Sequence, residues 1–127
     1  MLDYKTTLRK LALRDDRYID ALFAHERSSA VESGLDPRVR ALVQLGALVA
    51  VDAAPPSYMS VAEEAIDAGA TYEDLVGSLL VVMQVVGVPR VVSAAPNLGL
   101  ALGYDIGEAL ETVAPGDDGG SERGSAA

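Results

Sequence analysis

Arg90 follows Pro89 directly, at what should be the first turn of an apolar helix, and its planar guanidinium suits a carboxylate. It is a candidate either to bind the carboxylate of a substrate or to pair with an acid across a subunit boundary. Gln84 is the one strong hydrogen-bonding side chain in the run VVMQVV. If buried it needs a partner, which a ligand, the backbone or a neighbouring helix would supply. His25, beside Glu26, is the only imidazole, and a group titrating near neutral pH suits a general base. The plainer reading is a half-exposed histidine on a helix. Ser57 and Tyr58 set two hydroxyls side by side, but a serine nucleophile needs an adjacent base, and no residue here supplies one. Ser57 therefore reads as a helix cap, and Tyr58 either lines a pocket or packs. The acid pairs Asp15-Asp16, Glu63-Glu64 and Glu73-Asp74 are sequence neighbours, about 100° apart on a helix. They suit solvated faces and helix starts better than paired acid/base work.

Several chemistries are excluded by composition. The 127 residues include no cysteine, which removes disulfide frameworks, thiolate zinc sites and thiol-based peroxidase chemistry carried by this chain. A single histidine removes a multi-histidine metal site, so neither metal nor cofactor is expected. Residues 1–40 hold eight of the ten Lys and Arg against seven acids, while residues 41–127 carry a net charge of −10. An acidic body of this kind repels phosphate backbones, so nucleic acid is not expected as a partner. No apolar leader follows the N-terminus and no run is long enough to span a bilayer, so the expected location is the cytoplasm, away from membranes.

The elements that must position these residues read as helices throughout. Tyr4, Leu8, Leu11 and Ala12 recur at helical spacing, and after Asp15-Asp16 a second stripe runs through Ile19, Leu22, Phe23 and Ala30. Asp36-Pro37 starts a third helix, with a side-chain acceptor followed by a residue that needs no amide donor, and Ala53-Ala54-Pro55-Pro56 ends or redirects it near Asp52. A fourth helix follows, capped by Ser57 and closed by Gly69. Thr71 with Asp74 forms a capping box for a fifth that runs to about Val86. A sixth begins near Pro89, and Pro96 inside it predicts a kink or break. Glu108, Ala109, Leu110 and Val113 form a short last helix, and the stretch from Pro115 reads as a disordered, glycine-rich acidic tail. The expectation is one domain over residues 1–114, an all-α compact bundle of about six or seven helices, followed by a tail over 115–127.

Core packing then predicts assembly. The fifth and sixth helices are apolar nearly all round, and a domain of this size cannot bury both within itself. A homo-oligomer is therefore expected.

The opening LDPRVRALVQLGALVA, the turn Ala65-Ile66-Asp67-Ala68-Gly69-Ala70-Thr71 leading into Glu73-Asp74-Leu75, and the apolar helix ending in Gly87-Val88-Pro89 resemble the carboxymuconolactone decarboxylase family, which includes the alkylhydroperoxidase AhpD-like proteins. The match covers some 70 residues, from Leu35 to Leu102. The resemblance implies an all-helical, AhpD-like fold assembling as trimers or hexamers through its central helices. It also implies where chemistry should lie. The redox branch carries a Cys-x-x-Cys pair followed four residues later by His, and alignment on Gly69 sets Ala54, Ser57 and Val61 at those positions. Its proton-relay glutamate falls near Ala41 or Leu42, and the tyrosine before its GxP segment falls near Val85. The decarboxylase branch keeps a histidine where this chain has Val61. Tyr58 and Ser57 thus stand where the family's active site would be.

Two functions remain in view. One is a cysteine-free AhpD-like protein that binds or transforms a small organic acid or lactone, with Tyr58, Gln84 and Arg90 as the ligand-binding candidates and His25 as an outside catalytic candidate. The other is a catalytically inactive scaffold whose function is the oligomer itself.

Overall fold

The computed structural model describes residues 3–24 and 28–111, and among these the regular secondary structure is entirely helical. Its elements are α1 (Tyr4–Ala12), α2 (Asp16–Phe23), α3 (Ser28–Glu32), α4 (Pro37–Val51), α5 (Pro55–Asp67), α6 (Tyr72–Val86), α7 (Val88–Ala101) and α8 (Ile106–Glu111). His25, Val113 and the tail expected over 115–127 lie outside the described residues.

Helix ends follow local chemistry. The Asp36 carboxylate accepts from the Arg38 amide at 2.9 Å, with Pro37 opening α4. That helix stops where Asp52 turns left-handed, at φ 56 and ψ 54, and the amides of Asp52 and Ala53 fold back onto the carbonyls of Val49 and Leu48. Asp74 and Thr71 exchange reciprocal 3.0 Å bonds, a complete capping box at the start of α6. Gly69 is left-handed, as expected of a helix-closing glycine. Gly87, at φ 90, alone separates α6 from α7, a reversal that a residue with a Cβ adopts only under strain.

Four helices make the core. Ala41, Leu45 and Val49 on α4, Tyr58, Val61, Ala62 and Ala65 on α5, Leu75 and Leu79 on α6, and Val91, Ala94 and Leu98 on α7 form one buried cluster. The side chains are small, so the helices pack closely. Each helix contributes residues three or four apart, the stripe expected of a bundle.

Three expectations need correction. The N-terminal third holds three helices, because α3 is separate from α2 and Ala30 belongs to it. Ser57 does not cap α5: Ala54 is the N-cap, without a side-chain bond, and Pro55-Pro56 make up the first two helical positions. A proline pair that ends one helix can open the next, since no amide donor is needed there. Finally, of the kink or break expected at Pro96 the break is absent, since α7 runs through Pro96 as one helix. Pro96 and Val92, whose carbonyl loses its helical donor, are both exposed, so water can take the vacant acceptor.

Candidate functional site

The junction of α4, α5 and α7 gathers the polar groups. Asp52 leaves α4 in a left-handed conformation that swings its carboxylate toward α7, where it accepts from Ser93 Oγ at 2.8 Å. Its other oxygen lies 3.6 Å from Arg90 Nη1, and the two side chains keep 46% and 48% exposure. Arg90 sits three residues after Gly87, in the first turn of α7, where a cation opposes the positive end of the helix dipole. The Asp52 carboxylate offsets that. Arg90 and Ser93, three apart, share a face of α7, so one carboxylate reaches both.

Tyr58 lies beneath this group on α5. Its side chain is fully buried at 0% exposure, and its hydroxyl is the buried side-chain polar atom left without a hydrogen-bond partner among the described residues. Burial raises the phenol's pKa above its usual 10.0, and the nearby Asp52 carboxylate raises it further. The group therefore stays protonated at neutral pH and keeps an unspent donor.

Asp52 pairs with Arg90, and its charge also acts on the Tyr58 phenol. Gln84 stands apart, exposed on α6 between Val81 and Val85, and forms no hydrogen bond with the group. Of the positions where the resemblance looks for redox chemistry, Ala54 is an exposed N-cap, Ser57 is half-buried in the first turn of α5 and Val61 is core. Among the described residues, the Ser57 hydroxyl has no hydrogen-bonded base.

Away from this junction a concavity of about 550 Å³ lies between α3, α4 and α5, lined by Ala30, Pro37, Arg40, Ala41, Gln44, Glu64, Asp67 and Ala68. Arg40 is already committed there, donating to the carbonyls of Ala30 and Leu35. The wall beside Ala41 thus has carboxylates only from α5, and Ala41 itself cannot move a proton. Sequence reading missed Asp52, Ser93 and this cleft. The spacings Arg90/Ser93 and Glu64/Asp67 were available signals, but the closure onto Asp52 joins positions 41 residues apart, which no local pattern reports.

Among the described residues no group of acids and histidines could hold a metal ion, and no helix is long and apolar enough to cross a membrane. No curated protein and no solved structure matches the chain significantly. The sequence model of the carboxymuconolactone decarboxylase family matches residues 17–98, which span α4, α5, α6 and most of α7 together with the Asp52, Tyr58, Arg90 and Ser93 junction. With an all-helical bundle and a family match over more than half its length, the chain belongs to the carboxymuconolactone decarboxylase family.

Proposed function

We propose that this protein is a cysteine-free, AhpD-like member of its family that binds or transforms a small organic acid or lactone at the junction of α4, α5 and α7, and that it is not a thiol peroxidase. The observation that carries this reading is the buried Tyr58 hydroxyl, protonated and without a partner, which feels the charge of the Asp52 carboxylate that pairs with Arg90. An unsatisfied buried hydroxyl costs on the order of 1–3 kcal/mol. A ligand carbonyl accepting from it recovers that cost. Arg90 then draws the electron-rich end of the ligand, while Asp52 and Ser93 hold Arg90 in place. Peroxide reduction by a thiol pair has no residue to run on, since the chain lacks cysteine.

The test is an NMR titration of the full chain with γ-butyrolactone and, separately, its ring-opened hydroxy acid. Shifts in resonances from α5 and the start of α7, weakened at least tenfold in Tyr58→Phe and Arg90→Ala, support the reading. No response to either compound in the wild-type protein contradicts it.

A second reading, an inactive oligomeric scaffold, is favoured by one observation. α6 and α7 expose Leu80, Val81, Val85, Val88 and Val92, with Val85 at 86% exposure, while no charged residue lies between Leu75 and Pro89. Water contact with so large an apolar face is unfavourable. Both readings share a homo-oligomer, a trimer or hexamer assembled through this face. Arg90→Ala separates them: lost ligand binding with intact assembly favours the site, and collapse of assembly favours the scaffold.

A further inference from the structure

The N-terminal helices have an apolar side that their own chain leaves uncovered. Tyr4, Leu8 and Leu11 recur along one side of α1, yet neither α1 nor α2 contains a buried residue. Leu8 is 61% exposed and Phe23 81% exposed. The four core helices pack on one another, whereas α1 and α2 make no extensive packing with them. A helix of nine residues with such a stripe is marginal alone in water, because most helical stability in proteins comes from burying the amphipathic face.

Charge indicates what covers it. The α1 arm holds Lys5, Arg9 and Lys10 and no acid, residues 41–127 of the body carry a net charge of −10, and Arg9 and Arg17 have no acidic partner among the described residues. The body in turn exposes an uncharged apolar face on α6 and α7, with the exposed acid Glu73 at its start, Asp74 beside it being already bonded to Thr71 and Arg38. A second copy of this chain supplies both halves of that match, apolar stripe to apolar face and arginine to acid. A separate acidic partner would satisfy the arm but leave the α6–α7 face open.

We infer that α1 of one protomer docks across the exposed α6–α7 face of a neighbouring protomer. This rests on the proposed self-association and names the element that covers the face. The contact is heterologous, joining different surfaces of the two copies, and such contacts form a ring where the rotation between copies closes. Each protomer then gives an arm to one neighbour and receives one from the other.

Two variants of the full chain test the inference. Leu8→Asp with Leu11→Asp leaves the core untouched, so circular dichroism should keep the helical signal of α4–α7 while sedimentation velocity shows a smaller species than wild type. Because the natural chain has no cysteine, Leu8→Cys with Val85→Cys adds the only two thiols. Under mild oxidation it should yield a ladder of covalently linked protomers on a non-reducing gel. An unchanged oligomer in the aspartate variant, or an internal disulfide that leaves the cysteine variant a covalent monomer, overturns arm docking. A monomeric wild-type protein overturns the underlying self-association, and with it the inference.

Discussion

Asp52 accepts a 2.8 Å hydrogen bond from Ser93, a contact that ties the end of α4 to the first turns of α7. The geometry depends on a backbone that non-glycine residues rarely adopt, with φ at 56°. Asp52→Gly removes the carboxylate but suits the backbone, whereas Asp52→Ala removes the carboxylate and retains the strain. Chemical denaturation should therefore find the alanine variant less stable than the glycine variant by about 1 kcal/mol. The ion pair to Arg90, about half exposed, adds at most about 1 kcal/mol to the common loss. Equal stabilities would mean that the turn is not held left-handed in solution.

Tyr58 separates packing from hydrogen bonding. Tyr58→Phe keeps the ring and discards an orphan hydroxyl, so in the absence of ligand its stability should equal or exceed that of the wild type. Tyr58→Ala empties the core and should cost about 3–5 kcal/mol. The raised phenol pKa sets a sign: the folded state holds this proton more tightly than the unfolded one. Its stabilising contribution is therefore complete below pH 10.0 and lost as pH rises through the higher folded value. Absorbance titration at 295 nm should show one late phenol that is missing from Tyr58→Phe.

The capping box at the start of α6 should respond to both mutation and acid. Thr71→Ala removes one half of it and is expected to lower stability by about 1 kcal/mol in urea denaturation. Asp74 is held below its usual pKa of 3.8 first by the hydrogen bond from the Thr71 amide, and also by the Thr71 side chain and Arg38. A depressed carboxylate stabilises the fold above the unfolded pKa and loses that contribution as pH falls through the folded value. Stability measured from pH 5 downward should accordingly fall less steeply in Asp74→Asn than in wild type.

Gly99 is where α7 meets the turn into α8. A Cβ there would stand 2.9 Å from the Tyr104 carbonyl oxygen and 3.1 Å from Ile106 Cδ1. The backbone oxygen cannot step aside without moving the turn, which is held by a 2.8 Å hydrogen bond donated by the Tyr104 N–H to the Gly99 carbonyl. Gly99→Ala should cost about 1–3 kcal/mol and lower the melting temperature. An unchanged melting temperature would place the turn further from α7 than the structure has it.

The helices were legible because their boundaries depend on a few adjacent residues. Asp36 with Pro37 and Thr71 with Asp74 act within one turn, so the residues that cause each helix start are also those that announce it. At Ser57 the same local logic fails, because Pro55 opens the helix two residues earlier and the hydroxyl that follows has no helix end left to cap. Tyr58 and Arg90 were visible as isolated functional groups. Their relation was not, since it runs through Asp52, whose orientation depends on a left-handed turn that an aspartate does not advertise. Gln84 had the opposite history. Its apolar neighbours divide between the two sides of the helix: Val82, Met83 and Val86 pack against the core, while Val81 and Val85 face outward with Gln84, so the run alone does not report which side Gln84 takes.

The central claim, a self-assembled helical protein carrying a small molecule at the Asp52, Tyr58 and Arg90 junction, meets its most direct test in native mass spectrometry of the gently purified full chain. The account predicts a trimer or hexamer bearing a small organic adduct at one per protomer, lost from Arg90→Ala while the subunit number is kept. A clean monomer, or an oligomer whose adduct survives in Arg90→Ala and Tyr58→Phe alike, would contradict it.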